Sequence, residues 1–259
     1  MQNSRARPDF LIIGAAKAAT TTLSNMLARH PGACMVRGKE PHFFSTNRYY
    51  ILGWNGYQQL YSHCQSGQVT GDASTSYSRI RYHPDLFTRL KRHIPDTRII
   101  YMVRHPLERM VSAYAERLAS AGLNESFASI NQAVKQQPMI IDSSRYREVY
   151  DEYTRHFDKK KIKVVWFEEF IKDTDGVFSD LCKFLSIDDS IRIDLNEIKL
   201  NTRDDAKSRM KDLGREDFEL NTRWDDATRQ WVIDQIRDDN LRFLSYFGKP
   251  RDYWGNIFD

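Results

Sequence analysis

Three short apolar runs, each followed by a helix-forming stretch, constrain the fold of this chain most strongly. Phe10–Ile13 ends at Gly14 and leads into Thr20–Arg29, where Leu23, Met26 and Leu27 recur at helical spacing before His30-Pro31-Gly32 stops the helix. Thr97–Val103 ends at Arg104-His105-Pro106, and a helix begins with Pro106 in its first turn, where proline is tolerated. Lys161–Phe167 is followed by helical segments to about Leu185. Further short strands are expected near Cys34–Val36 and Gln68–Asp72, a loop-rich stretch over Ile187–Arg203, and a long helix over Asp225–Tyr246, closed by Gly248 and Pro250. Strands alternating with helices imply an α/β fold with a mostly parallel sheet flanked by helices. Ligands of such sheets bind beyond the carboxyl ends of the strands, where the loops after Ile13 and Val103 lie. At 259 residues, one domain spanning 1–259 is expected.

The first of those loops reads Gly14-Ala15-Ala16-Lys17-Ala18-Ala19-Thr20-Thr21-Thr22. Unsatisfied N–H groups and the helix dipole make a helix N-terminus an anion site. Lys17 adds a mobile positive charge, Thr20, Thr21 and Thr22 offer hydroxyls, and the alanines, Ala18 and Ala19 included, let the backbone approach a phosphate closely. This is not a Walker A loop, because two alanines separate the lysine from the threonine that would hold Mg²⁺. An ordinary strand–helix turn with an N-cap threonine is the competing reading. In the second loop, Arg104 sits at a strand end and Ser112 lies two turns into the next helix. Arg104 can fork onto a phosphate and Ser112 can add a hydrogen bond; the plain alternative pairs Arg104 with a structural carboxylate.

Taken together, the two loops resemble those of the PAPS-dependent sulfotransferases, in particular the branch of heparan sulfate and related carbohydrate enzymes. PAPS is 3′-phosphoadenosine-5′-phosphosulfate, and PAP its desulfated product. That family carries K-x-G-T-[ST] after its first strand and R-x-P-x-x-R-x-x-S-x-Y after a later one. The second pattern is met at Arg104, Pro106, Arg109, Ser112 and Tyr114. Glu40-Pro41-His42-Phe43-Phe44 is similar to the family's E-x-H-F-F segment, Gly71–Tyr77 to its G-E-K-[ST]-P-x-Y segment, and Leu241–Leu244 with Gly248 and Trp254 to its closing pattern. The resemblance runs from Phe10 to Trp254.

The resemblance implies that the first loop holds the 5′-phosphosulfate, with Lys17 near the bridging oxygen, and that Arg104 and Ser112 hold the 3′-phosphate. It puts Glu40 in the role of general base, with His42 as the rival, since histidine titrates near neutrality. Lys207 and Arg209 resemble part of a late loop that closes over the nucleotide; an exposed basic helix start is the alternative. Departures fall mainly on the acceptor side: Ala19 stands for the usual glycine, Ala73 for a catalytic-centre lysine of some carbohydrate members, and Ser45 for a frequent carboxylate. The sequence does not give the acceptor; a saccharide, a lipid-linked glycan and a small secondary metabolite are the candidates, and Tyr49, Tyr50, Trp54, Phe43, Phe44 and Tyr77 are candidates for a sugar-stacking wall, ordinary core packing being the competing reading.

The remaining composition limits the alternatives. A net charge of +4, spread along the chain, suits an anionic ligand and is too mild to argue for nucleic acid. No run is long enough for a membrane span or a signal-peptide core. The three cysteines, Cys34, Cys64 and Cys182, show neither a disulfide framework nor metal-ligand spacing, so no metal and a reducing setting are expected; with no signal-peptide core or span, a cytoplasmic setting is expected, a trimmed lumenal domain being the alternative. A P-loop kinase or NTPase, and a silent nucleotide-binding protein, remain the rival functions. ATP hydrolysis with Mg²⁺ would mark the first, and PAPS binding without turnover the second.

Overall fold

A computed structural model describes residues 7–38, 40–120, 127–194 and 220–259. The chain divides into two compact units. The first comprises Met1–Arg104 and Glu152–Leu200, the second His105–Asp151 and Asn201–Asp259.

The first unit is built on a five-stranded sheet of order β2-β3-β1-β4-β5, with β1 at Phe10–Gly14, β2 at Ala33–Met35, β3 at Val69–Ala73, β4 at Arg98–Val103 and β5 at Ile162–Trp166. Every pairing is parallel. All of β1 and nearly all of β4 are buried, as the uninterrupted apolar runs require of strands covered on both faces. The five expected strands are all present, with ends displaced by a residue or so. After β1 the chain turns into α1 (Thr20–Arg29), and after β2 into two short helices, α2 (Asn47–Tyr50) and α3 (Gly53–Gln59), before α4 (Leu86–His93) precedes β4. The strand order reverses direction between β1 and β4, so the loops leaving these two strands flank a topological switch point.

In the second unit, α5 (Pro106–Ser120), α6 (Ile130–Gln136), α7 (Pro138–Asp142), the start of α8 (Tyr146–His156) and, after α9 (Phe167–Lys172) and α10 (Thr174–Leu185) of the first unit, α11 (Asp226–Tyr246) supply the core. Tyr146, Phe243 and Trp254 pack together there, with ring centroids 5.9 and 5.7 Å from Tyr146. Asp225 caps α11, its carboxylate accepting the N–H of Thr228 at 2.7 Å. Arg109 and Tyr114, two positions of the second-loop pattern, serve this architecture. Buried Arg109 donates to Ser144 Oγ at 2.6 Å and to the Ile140 carbonyl, and the Tyr114 hydroxyl donates to the Phe127 carbonyl at 3.1 Å.

One expectation is overturned. Cys34 and Cys64 form a disulfide, with their Cα atoms 5.7 Å apart, and only Cys182 among the three is a free thiol. Their separation of 30 residues matches no sequence pattern; the fold brings the turn after α3 against edge strand β2. Closing a loop of that length stabilises a chain by about 3–5 kcal/mol in the loop-entropy account. Among the described residues, no helix is long and apolar enough to cross a membrane.

Candidate active site

The loop after β1 reaches its helix through residues in the left-handed region. Lys17 has φ 71° and Ala19, the N-cap of α1, has φ 64°. No side chain caps this helix, so the N-cap threonine reading does not hold, and no acidic residue occupies its first turn. An L-residue in this conformation costs about 1–2 kcal/mol, which glycine avoids at an entropic cost of about 0.5–1 kcal/mol. This explains why a glycine belongs where Ala19 stands. Ala19→Gly is expected to raise stability by up to about 1 kcal/mol, read as a higher urea midpoint at unchanged slope. An unchanged or lower midpoint would mean that the alanine methyl packs well enough to offset its backbone strain.

Gly14 ties this loop to the segment after β3. A Cβ at Gly14 would lie 2.3 Å from Ser78 Oγ, and its φ of 137° is equally closed to other residues. The tight approach brings the turn Thr75–Ser78 against the start of the first loop. That turn in turn holds the Glu40–His42 segment. Thr75 Oγ1 donates to Glu40 Oε2 at 3.0 Å, Ser76 Oγ lies 2.6 Å from His42 Nδ1, and the His42 N–H donates to Ser74 Oγ at 3.1 Å. His42 Nε2 is 3.5 Å from Glu40 Oε2. Neutral imidazole in this setting directs its Nε2 hydrogen at the carboxylate and leaves Nδ1 to accept from Ser76. Glu40 and His42 also carry positive φ, 53° and 52°. Among the described residues, four of the five non-glycine residues with positive φ are thus Lys17, Ala19, Glu40 and His42. Strain of this kind persists where surrounding contacts over-determine it, which is common at functional sites.

Burial pushes the His42 pKa below the usual histidine value, helped by Arg79 and opposed by Glu40. Beneath it lies a group that the sequence reading did not single out. Asp72 is fully buried and accepts from Tyr57 and Tyr77, both at 2.7 Å, and from Ser74 at 2.8 Å. The same Ser74 oxygen receives the His42 N–H, so the carboxylate anchors the loop at one remove. An acid at the end of β3, directly after the crowded Gly71, was the available signal. Burial raises the Asp72 pKa to about 6, against the lowering effect of its hydrogen bonds.

Asp72 therefore holds its proton more tightly in the folded chain than in the unfolded chain, where 3.8 applies. Its contribution to stability is greatest below about pH 4, falls as pH rises through the window from 3.8 to about 6, and is about 3 kcal/mol less favourable above it. Relative to Asp72→Asn, the wild type should gain stability as pH is lowered from about 7.5 to about 4.5, measured by urea unfolding at each pH. A gap that does not move with pH would show an unperturbed carboxyl.

Arg104 follows β4, across the switch point. Its Nη1 donates to the Lys17 carbonyl at 3.2 Å, and its guanidinium lies 4.4 Å from the Phe167 ring centroid. The two loops thus meet through this arginine. Ser112 is half-buried on α5 of the second unit. Lys207 and Arg209 lie outside the described residues. Of the candidate stacking aromatics, Phe43, Phe44 and Tyr77 are buried core side chains, whereas Tyr49, Tyr50 and Trp54 are partly exposed. The Tyr49 ring centroid is 6.2 Å from that of His42.

Residues 7–223 match the model of the sulfotransferase domain family. The heparan sulfate glucosamine 3-O-sulfotransferase 3A1 of Mus musculus is 29% identical over 192 residues, which cover 72% of this chain and 47% of that protein. The chain therefore spans about half the length of such relatives. Among solved structures, a sulfotransferase from Alicyclobacillus acidocaldarius superimposes with a TM-score of 0.74 at 22% identity, covering 96% of this chain and 99% of the other. Mouse sulfotransferase SULT7A1 complexed with PAP gives 0.53 at 14% identity, covering 94% and 89%. At these identities the likeness is one of fold.

Proposed function

The chain belongs to the sulfotransferase domain family, and from that premise we propose that it moves a sulfonate group from PAPS to an acceptor hydroxyl by in-line displacement. The observation that carries this reading is the juxtaposition at the carboxyl ends of β1 and β3. There the uncapped N-terminus of α1, with Lys17, adjoins the turn that holds Glu40 and His42. An anion site beside a carboxylate–imidazole pair suits a reaction in which one oxygen must lose a proton while another gains negative charge.

The acceptor oxygen attacks sulfur and the bond from sulfur to the bridging phosphate oxygen breaks. Glu40 takes the acceptor proton. The charge left on the 5′-phosphate is met by the Lys17 ammonium and the N–H groups of Ala19 and Thr20–Thr22; the Ala18 N–H, expected to join them, instead donates to the Ala15 carbonyl at 3.1 Å and closes the loop. His42, whose pKa burial holds below the usual histidine value, faces Glu40 Oε2 at 3.5 Å and orients it. Arg104 and Ser112 hold the 3′-phosphate that distinguishes PAP from AMP, and Lys207 and Arg209 are further candidate ligands of it. A saccharide acceptor is supported by the kinship to heparan sulfate glucosamine 3-O-sulfotransferases, with Tyr49 as the aromatic beside the reacting pair. These roles complete one catalytic domain and require no metal. The cytoplasmic expectation rested on the lack of a run long enough for a signal-peptide core or membrane span, with the cysteines as secondary support for a reducing setting; the Cys34–Cys64 bond removes that secondary support, because disulfides persist in oxidising compartments.

PAP is expected to raise the melting temperature, with AMP and ATP doing so much less, because a ligand that binds only the folded state stabilises it. Equal shifts with PAP and AMP would remove the 3′-phosphate site from the reading. A shift with ATP and Mg²⁺ alone would favour the kinase or NTPase alternative.

A further inference from the structure

Outside the candidate active site, one cluster joins ligating side chains that the sequence keeps apart. Cys34 on edge strand β2, and His63 with Cys64 on the turn after α3, place one imidazole nitrogen and two sulfurs all within 4.8 Å of one another. His63 Nε2 lies 3.4 Å from Cys34 Sγ. Cys34 is buried, His63 exposed and Cys64 half-exposed, so the cluster is reached from solvent through His63 and Cys64. The turn is independently pinned to β2: the Arg37 N–H donates to the Leu60 carbonyl at 3.0 Å, and Gln68 Nε2 donates to the Ala33 carbonyl at 3.2 Å. Neither of these bonds involves a cysteine, so opening the disulfide removes neither.

We propose that, once the disulfide is reduced, Cys34, Cys64 and His63 bind a zinc-class divalent ion, and that disulfide and metal are alternative clips on the same two segments. A thiol or phosphine reductant supplies two electrons, and two protons convert the disulfide into two thiols. Metal binding then releases the thiol protons as the sulfurs ligate. Two thiolates and an imidazole are the donor set that zinc prefers, with the fourth tetrahedral position left to water. The sulfurs must part to about 3.8 Å to accept Zn–S bonds of about 2.3 Å. Either clip closes the base of the loop that carries Glu40, His42 and Tyr57.

The test uses the full chain and cadmium as an optical probe. In phosphine-reduced protein, Cd²⁺ should produce a sulfur-to-metal charge-transfer band that saturates at one equivalent and is displaced by Zn²⁺; the oxidised protein should show none. Zn²⁺ should also raise the melting temperature of the reduced chain. His63→Ala, an exposed and structurally mild change, should weaken binding by at least about 10-fold, the scale on which even an outer-shell partner matters. Cys34→Ser should lose the saturating band, and Cys182→Ser should keep it. No band in the reduced wild type, a band that survives in Cys34→Ser, or an unchanged affinity in His63→Ala would overturn the assignment.

Discussion

Glu40→Gln is expected to lower turnover by about 10²–10⁴-fold, the usual cost of losing a positioned general base, while PAP affinity stays at the wild-type value. Glutamine preserves the shape of the side chain and can still accept from Thr75 Oγ1, which now holds Glu40 Oε2 at 3.0 Å. It cannot accept a proton from the substrate. Nucleotide binding should survive because the segment of Glu40 is fixed by the Ser74–Ser76 turn, through contacts that do not pass through the carboxylate. His42→Ala should reduce turnover less, and by a different route: it removes the imidazole that faces Glu40 Oε2 at 3.5 Å. Single-turnover rates with labelled PAPS, paired with calorimetric titration of PAP, separate the two effects. Near-normal turnover in Glu40→Gln with none in His42→Ala would make the histidine the base. Normal turnover in both would mean that proton transfer does not limit the reaction.

The second large effect is expected at the meeting of the two loops. Arg104→Ala should weaken PAP binding by about 1.5–3 kcal/mol, as for loss of a charged hydrogen-bond partner, and Ser112→Ala should cost less. Lys17→Ala should reduce both PAP affinity and turnover, because its charge acts on the bound nucleotide and more strongly on the leaving oxygen. The Arg104 guanidinium bonds the Lys17 carbonyl, so its removal also loosens the backbone that presents Lys17. The two losses should therefore not add in the double variant. Calorimetric titration of PAP into the wild type, the Arg104→Ala and Lys17→Ala variants and the double variant gives the cycle. An unchanged affinity in Arg104→Ala would confine that residue to its contacts with Lys17 and Phe167.

The strands and the loops that carry the candidate site were legible because their signals are local. A buried parallel strand must be apolar along its length, and β1 and β4 are. A phosphate loop must use small residues before a helix, and Gly14–Thr22 does. Which residue serves the nucleotide and which the fold was less legible, because one pattern carries both. In the second loop, Arg104 faces the first loop while Arg109 and Tyr114 bond within the helical unit. The short helices between β2 and β4 were missed because none carries a long periodic face.

Local spacing, charge and turn chemistry thus determined the alternation of strand and helix and marked the first loop, with Lys17, and Arg104 as candidate anion ligands; Glu40 and His42 were marked by the resemblance of their segment to the sulfotransferase pattern. Only the tertiary structure decided what depends on distance through space. It crowded Gly14 against Ser78, sank Asp72 beneath the Glu40 loop within reach of Tyr57 and Tyr77, and joined Cys34 to Cys64 across 30 residues. All but the Asp72–Tyr77 bond are contacts between segments far apart in the chain. Residue spacing says nothing about such contacts until the parallel sheet, whose strand order differs from the chain order, sets which segments meet.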